Sequence, residues 1–256
     1  MFSLAHQPLN IGEYSVYLEE TTSTNDALKL LFSNQQIPEG AVVYTHFQTN
    51  GRGQQNSVWE SEPGKNLLFS VLLKPQFLLA MEQVWLNCII SLALRDTAQE
   101  FCPDPVKIKW PNDIYCQEKK IAGILIENVL QGNRIRFSVI GMGLNLNQQE
   151  FMEPKAASIY TLSGLWVEPK AARELLCHKL GHYYALLLGK QHTLLWDLYH
   201  QHLLGKGEMA IFKKENVLFE AQIMGIDKKG RLHLLVNDEI ESYANKEVEF
   251  INLIKN

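Results

Sequence analysis

The chain has 256 residues, of which 46% are hydrophobic, and its formal net charge is −4. This length fits one full-sized domain and a small one, and the composition is typical of a folded globular protein. The negative charge leaves no basic surplus for a phosphate backbone, so sequence-independent binding to nucleic acid is not expected. No run reaches the ~18 apolar residues of a membrane span. Met1 to Pro8 also lack the positive region that begins a secretory signal.

The cysteines are widely spaced and form no C-x-x-C pair; they are Cys88, Cys102, Cys116 and Cys177. Such spacing is typical of reduced thiols rather than of a disulfide framework. We therefore expect a cytoplasmic protein, because that compartment keeps thiols reduced.

Apolar periodicity predicts two helices among strands in the first part of the chain. Residues 24–32 place their apolar side chains on one side of a helix, and residues 77–101 form the longest helical pattern, with a wide apolar face. Strand patterns occupy residues 15–19, 41–46, 66–73, 106–110, 114–116, 121–129 and 134–140. Gly132-Asn133 separates the last two strands as a hairpin turn. These elements predict an α+β fold, in which a mixed, largely antiparallel sheet packs against a long central helix.

The C-terminal part of the chain changes character after two further helices, predicted at residues 170–189 and 193–203. A glycine-containing segment around Gly205 then precedes five short alternating strands between residues 208 and 251. We therefore divide the chain into a large α+β domain, residues 1–204, and a small C-terminal β-barrel, residues 205–256.

A polar, glycine-punctuated loop follows the strand that ends near His46, and its centre is Gly51-Arg52-Gly53. Glycines let a backbone approach a ligand closely, and a guanidinium binds phosphate or carboxylate oxygens. The loop alone is a weak signal, because such triplets are common in surface turns. The loop is informative because of the motifs around it.

Those motifs are Thr22-Ser23-Thr24-Asn25, Lys109-Trp110-Pro111-Asn112-Asp113, the segment from Lys119 to Glu127 and the segment from Ile140 to Asn147. Their order and spacing resemble the biotin protein ligases, which adenylate biotin with ATP and pass it to a lysine of a carrier protein. The resemblance implies a class II synthetase-like catalytic domain followed by an SH3-like barrel. It also implies ATP and biotin as substrates and Mg²⁺ as the accompanying metal.

The resemblance assigns one group of residues to biotin. The polar ureido end of biotin would meet neutral hydroxyls and amides, which donate and accept hydrogen bonds. Without the resemblance, Ser23-Thr24-Asn25 would be read as helix capping alone. Arg52 and Lys120 are the expected catalytic residues, and Lys120 would reach both the biotin carboxylate and the α-phosphate. The full group is Ser23, Thr24, Asn25, Gln48, Gly51, Arg52, Lys120, Gly123, Gly141 and Gly143, with the last three glycines making room for the biotin tail.

A second group is assigned to the nucleotide. Trp59 matches a position that packs on adenine, and Asn112 and Asp113 supply oxygen ligands for the metal carried by ATP, with Asp113 as the metal ligand. The full group is Gly53, Gln54, Trp59, Asn112, Asp113 and Asn145.

The loop departs from the family pattern at three positions. A common form is Gly-Arg-Gly-Arg-x-Gly-Arg, whereas this chain has Gln54, Asn56 and Ser57 at the second arginine, the third glycine and the last arginine. Asparagine tolerates the left-handed backbone that glycine adopts, so Asn56 is a mild change. Losing the charge at Gln54 predicts weaker retention of biotinyl-adenylate.

The resemblance implies a biotin carboxyl carrier protein or domain as the acceptor, and a homodimer is compatible with it. Two alternatives stay open: a lipoate or octanoate ligase or transferase of the same superfamily, and a non-catalytic biotin sensor. A repressor that binds DNA is not expected, because only 20 residues precede Thr21 and a helix-turn-helix needs more. No membrane partner is expected either.

Overall fold

The computed structural model describes residues 9–54 and 57–254. Its main element is a seven-stranded sheet with the order β1-β2-β3-β7-β6-β5-β4, in which β1 and β2 are parallel and all other neighbours are antiparallel. The predicted mixed sheet is confirmed. The predictions made for Met1 to Pro8 and for Asn56 lie outside the described residues. The strands are β1 (Ser15–Thr21), β2 (Val42–Gln48), β3 (Asn66–Leu73), β4 (Val106–Lys109), β5 (Asp113–Cys116), β6 (Lys119–Gln131) and β7 (Arg134–Asn145).

Helices cover both faces of the centre of this sheet. They are α1 (Thr24–Asn34), α2 (Val84–Gln99), α3 (Ile159–Ser163), α4 (Pro169–Leu188) and α5 (His192–His202). Helix α2 belongs to the large core on one face, whereas Leu28 of α1 packs with Leu72 and Val139 on the other. Every residue of β3 is buried as a result, which explains its continuous apolar run. No helix in the described part of the chain is long and apolar enough to cross a membrane.

The predicted start of the main helix was wrong by about two turns. Residues 77–83 form an extended segment and a short 3₁₀ turn, Ala80–Glu82, and α2 begins only at Val84. The backbone of this segment bonds to the β6–β7 hairpin, because Ala80 N–H donates to Asn133 O and Ile135 N–H donates to Leu78 O. These tertiary hydrogen bonds replace the helical ones that the apolar pattern predicted.

The C-terminal region is a five-stranded antiparallel sheet with the order β11-β10-β9-β8-β12. It has the strands predicted for a small β-domain, and the two sheets share one continuous core that includes Ile108 and Phe212. The division at residue 204 therefore stays a prediction. The strands are β8 (Met209–Lys214), β9 (Val217–Ile226), β10 (Leu232–Val236), β11 (Glu239–Tyr243) and β12 (Glu249–Leu253).

His200 joins helix α5 to the C-terminal sheet. Its Nε2 accepts the Ile226 N–H at 3.1 Å, so Nδ1 carries the proton and donates to Trp196 O at 2.9 Å. The ring fits there because position 225 is glycine, where a Cβ would lie 2.7 Å from the ring atoms. The imidazole thus accepts a hydrogen bond from the Ile226 backbone N–H where the two sheets meet.

We predict that His200→Ala lowers the free energy of unfolding by about 1–3 kcal/mol, because the buried Ile226 N–H loses its acceptor. The exposed His178 of α4 provides the control, and His178→Ala should change stability by less than about 0.5 kcal/mol. Urea unfolding of the variants measures both values. Equal small changes in the two variants would contradict the role given to His200.

Candidate active site

A chain of buried hydroxyl and amide groups lies where α1 begins beside the end of β2. Gln48 Oε1 accepts the Thr24 N–H at 2.8 Å and the Thr24 hydroxyl at 3.1 Å. The Ser70 Oγ of β3 lies 2.7 Å from both Thr24 Oγ1 and Asn25 Oδ1. Ser23, Thr24 and Asn25 are each less than 5% exposed. The structure therefore brings the residues predicted for the biotin headgroup into one polar cluster.

Ser23 occupies the N-cap position of α1, but its side chain makes no capping hydrogen bond. Capping alone therefore does not account for this serine. Its hydroxyl lines a cavity of about 280 Å³ together with Asn25 and Gln48. Such a position suits a group that binds a ligand.

Gly141 of β7 lets Asn25 approach the sheet. A Cβ at this position would lie 2.6 Å from Asn25 Oδ1, closer than any side-chain carbon can stand. The predicted role of Gly141 was to make room for the biotin tail. In the structure, Asn25 occupies the space above this glycine. Gly141 therefore makes room for Asn25 in the polar cluster.

Glu127 of β6 connects Asn25 to the arginine of the loop. Its carboxylate accepts from Asn25 Nδ2 at 2.7 Å and from Lys29 Nζ at 2.6 Å, and it pairs with Arg52 at 3.2 Å. Partial burial alone would raise the pKa of Glu127. The hydrogen bonds from Lys29 and Asn25 and the charge of Arg52 outweigh burial, so the pKa lies below its ordinary value of 4.5.

Arg52 also pairs with Asp26 of α1, at 2.6 Å. We had expected its guanidinium to face phosphate oxygens, and in the structure two carboxylates hold it. Among the residues that the structure describes, the buried Arg52 Nε nevertheless has no hydrogen-bond partner. The loop is closed by a bridge between Arg52 and Val58 and by the Trp59 N–H, which donates to Gly51 O at 2.8 Å.

The indole of Trp59 lies against Gly123 of β6 and Gly143 of β7. A Cβ on Gly143 would overlap the indole ring, and one on Gly123 would lie 2.9 Å from Trp59 Cζ3. These two glycines make room for Trp59, which fills the space that we had expected for the biotin tail. Trp59 Nε1 is buried and has no hydrogen-bond partner within residues 9–54 and 57–254.

Lys120 of β6 and Asp113 of β5 form an ion pair at 2.6 Å across adjacent strands. Lys120 Nζ also lies 5.8 Å from the centre of the Trp59 ring. The neighbouring Asn112 uses its amide to donate to Ile124 O at 2.7 Å, which fixes the turn before β5 on β6. Cation and carboxylate therefore meet beside Trp59 in the same cavity.

Lys120 and Asp113 also line a second cleft, of about 590 Å³, between the two sheets. Lys109 lies in this cleft and donates to the Tyr115 hydroxyl at 3.3 Å. Burial lowers the pKa of Lys109, whereas the charge of Asp113 acts in the opposite direction. The cleft and the smaller cavity therefore share Lys120 and Asp113 in their linings.

The smaller cavity brings together every predicted site residue except Gly51 and Asn145. Gly51 supports the loop, since a Cβ there would lie 2.5 Å from Trp59 O. Asn145 is 3% exposed and donates to Ala157 O, while its Oδ1 has no partner. The cavity is lined by Ser23, Thr24, Asn25, Gln48, Arg52, Gly53, Gln54, Trp59, Asn112, Asp113, Lys120, Gly123, Gly141 and Gly143, together with Asn245, Lys246 and others.

Sequence reasoning missed several residues of this site. Ser70 interrupts an apolar strand with a single hydroxyl, and that signal could have been used. Glu127 belongs to the motif from Lys119 to Glu127, but no role was predicted for it. Asn245 and Lys246 follow β11, far along the chain, and only the fold places them at the cavity.

We predict that Glu127→Gln destabilises the protein near neutral pH and that the difference from the wild type disappears in acid. A carboxylate with a lowered pKa stabilises the fold above the ordinary pKa of 4.5, and this contribution is lost as the pH falls through the folded-state pKa. Thermal unfolding between about pH 6 and about pH 3 measures it. The exposed Glu174 of α4 is the control, and Glu174→Gln should show no such dependence.

Comparisons to known proteins show the family of the chain. The model of the biotin/lipoate A/B protein ligase family matches residues 17–145. The bifunctional ligase/repressor BirA of Bacillus subtilis (strain 168) is 30% identical over 247 residues, covering 93% of this chain and 74% of that protein. The biotin--[acetyl-CoA-carboxylase] ligase of Mycobacterium tuberculosis is 33% identical over 148 residues, covering 56% of this chain and 53% of that protein.

Among solved structures, the biotin protein ligase from Aquifex aeolicus in complex with biotin and ATP superimposes with a TM-score of 0.78 at 25% identity. The match covers 94% of this chain and 99% of that one. This likeness confirms the predicted class II synthetase-like fold. From the family model and the Bacillus subtilis relative, we conclude that the chain belongs to the biotin/lipoate A/B protein ligase family.

Proposed function

We propose that the protein is a biotin protein ligase, which activates biotin with ATP to biotinyl-5'-adenylate and transfers biotin to a lysine of a carrier protein. The observation that carries this proposal is a single cavity that is lined both by neutral polar groups and by paired cations and carboxylates. Biotin has the same division, with an uncharged ureido ring at one end and a carboxylate at the other. Relatives named as biotin ligases support the assignment.

The headgroup cluster matches a ureido ring in hydrogen-bonding capacity. The hydroxyls of Ser23 and Thr24 and the amide of Asn25 can both donate and accept. A lipoyl or octanoyl tail offers no comparable set of polar groups, and covering a polar cluster with an apolar chain costs free energy, because the chain replaces water and makes no hydrogen bond. The cluster therefore favours biotin over lipoate or octanoate.

Lys120 and Arg52 supply the positive charge that the first step needs. A carboxylate must attack the α-phosphate of ATP, and the two anions repel each other. Lys120 and Arg52 would hold both in line and stabilise the charge that develops on the phosphoryl oxygens. Arg52 must exchange at least one carboxylate partner for a phosphate oxygen to take this role, and its unpaired Nε offers a second donor.

Mg²⁺ fits this site only as an ion carried by the nucleotide. Within residues 9–54 and 57–254, no group of three or more histidine, cysteine, aspartate or glutamate side chains could hold a metal. Asp113 is a single carboxylate already paired with Lys120, and Mg²⁺ is commonly held by one carboxylate and phosphate oxygens. When bound, the ion would add positive charge at the phosphates. Asp113 is the residue that we assign to it.

Two ligands have to fit beside Trp59. The indole now covers Gly123 and Gly143, so binding of the biotin tail along these strands requires the ring to move outward. A ring that moves outward can cover the adenine, which is the role that we assign to Trp59. Asn112 and Gly53 line the same region, and we assign them to the nucleotide. Asn145 is assigned there as well, through its unpaired buried oxygen.

The second step transfers biotin to the acceptor lysine, which we propose belongs to a biotin carboxyl carrier protein or domain. Its amine must be neutral, and water must be kept from the mixed anhydride. The loop around Arg52 closes one side of the cavity and provides this exclusion. We place the reaction in the cytoplasm, because all four cysteines are free, and we assign no DNA or membrane partner.

We predict ATP–pyrophosphate exchange with biotin, but not with lipoate or octanoate. Lys120→Ala should reduce the exchange rate roughly a hundredfold, because a positioned charge at the reacting phosphate is lost. The control is Lys119→Ala, since Lys119 Nζ donates only to Pro154 O on the surface, and it should keep the wild-type rate. Exchange with lipoate would instead indicate a lipoate ligase. Biotin binding without any exchange would indicate a non-catalytic biotin sensor.

A further prediction concerns the missing arginine of the loop. Gln54→Arg should slow dissociation of biotinyl-adenylate roughly tenfold or more, because a charge-assisted hydrogen bond is stronger than a neutral one. A chase of bound labelled adenylate with unlabelled biotin and ATP gives the rate. Gln201→Arg, on an exposed position of α5, is the control for added charge. An unchanged rate in Gln54→Arg would contradict the weaker retention inferred from Gln54.

A further inference from the structure

The turn that joins β11 to β12 reaches the loop of the candidate site. Asn245 Nδ2 donates a hydrogen bond to Gln54 Oε1 at 2.8 Å, although the two residues are 191 positions apart. Asn245 and Lys246 line the same 280 Å³ cavity as Gln54 and Arg52. The C-terminal sheet therefore contributes directly to the wall of the cavity.

Within the loop, the contacts of Gln54 differ between backbone and side chain. Its carbonyl accepts the Ser57 N–H at 3.1 Å and the Ser57 hydroxyl at 2.8 Å, both inside the loop. Arg52 holds the inner side of the loop through Asp26 and Glu127. The side chain of Gln54 connects the loop to the C-terminal sheet through its hydrogen bond with Asn245.

The turn that carries Asn245 is ordered by its own hydrogen bonds. Glu247 accepts the Ala244 N–H at 2.7 Å and pairs with Arg231 at 3.0 Å. A backbone bridge joins Asn245 to Val248. Asn245 is therefore presented to the loop by a turn that needs little further ordering, and preorganised contacts lose less entropy when they form.

The C-terminal sheet is itself fixed on the large sheet beside the site. Trp110 Nε1, directly after β4, donates to Gly230 O at 2.9 Å. Lys155 Nζ donates to Ile251 O at 2.9 Å. These contacts give the turn a defined place over the loop.

We propose that Asn245 is a positioning residue of the adenylate site, which holds the loop over the cavity through Gln54. The inference rests on the proposed ligase function and adds the C-terminal sheet to the elements that retain the adenylate. The contact between the loop and the C-terminal sheet is a hydrogen bond between two neutral amides.

A double-mutant cycle tests the proposal. Gln54→Ala and Asn245→Ala should each speed dissociation of biotinyl-adenylate roughly two- to tenfold, the range of one neutral hydrogen bond. The double variant should dissociate no faster than the faster single variant, because both remove the same contact. Asn252→Ala is the control, since Asn252 is an exposed asparagine of the same sheet that donates to Leu253 O, and it should dissociate at the wild-type rate.

A second readout needs neither substrate nor activity. Trypsin cleavage of the full-length protein at the Arg52–Gly53 bond should be faster in Asn245→Ala than in the wild type and unchanged in Asn252→Ala. Multiplying effects in the double variant, or cleavage of Asn245→Ala at the control rate, would overturn the proposal. A wild type that forms no adenylate would refute the ligase function instead, and the cleavage rates would still decide whether Asn245 holds the loop.

Discussion

The site depends on one continuous chain of hydrogen bonds and ion pairs that runs through Asn25 and Glu127. Asn25 is bonded to Ser70 on one side and to Glu127 on the other, and Glu127 pairs with Arg52. Neutral groups at one end are thereby connected to the charged loop at the other. The amide of Asn25 is oriented by this chain, because its oxygen faces a hydroxyl and its nitrogen faces a carboxylate.

Charge balance explains why this arrangement is stable while partly buried. Two carboxylates, Asp26 and Glu127, meet two cations, Lys29 and Arg52. Burial penalises unpaired charges most strongly, so the pairing keeps Arg52 at the cavity without a large desolvation cost. The same pairing means that an anionic ligand competes with carboxylates for the guanidinium, and the arginine becomes available where a phosphate replaces one of them.

Glycines on the central strands set how closely other groups approach the sheet. Asn25 lies against Gly141, and Trp59 lies against Gly123 and Gly143. The resemblance predicted that these glycines make room for the biotin tail, and in the structure Asn25 and Trp59 occupy that room. It did not indicate that side chains of the protein fill the space, because the loop and the helix that deliver them are distant in sequence.

The sequence by itself determined the secondary structure, the α+β class and the set of motifs, because apolar periodicity and glycine-punctuated turns are local properties. Through the resemblance of its motifs to the biotin protein ligases, it also predicted Lys120 and Asp113 as site residues. The tertiary structure decided the rest. It moved the start of the predicted main helix to Val84 through bonds to a hairpin, paired Arg52 with Asp26 and Glu127, and brought Asn245 to Gln54. These contacts join residues far apart along the chain, and no local pattern encodes which distant partner a polar side chain will meet.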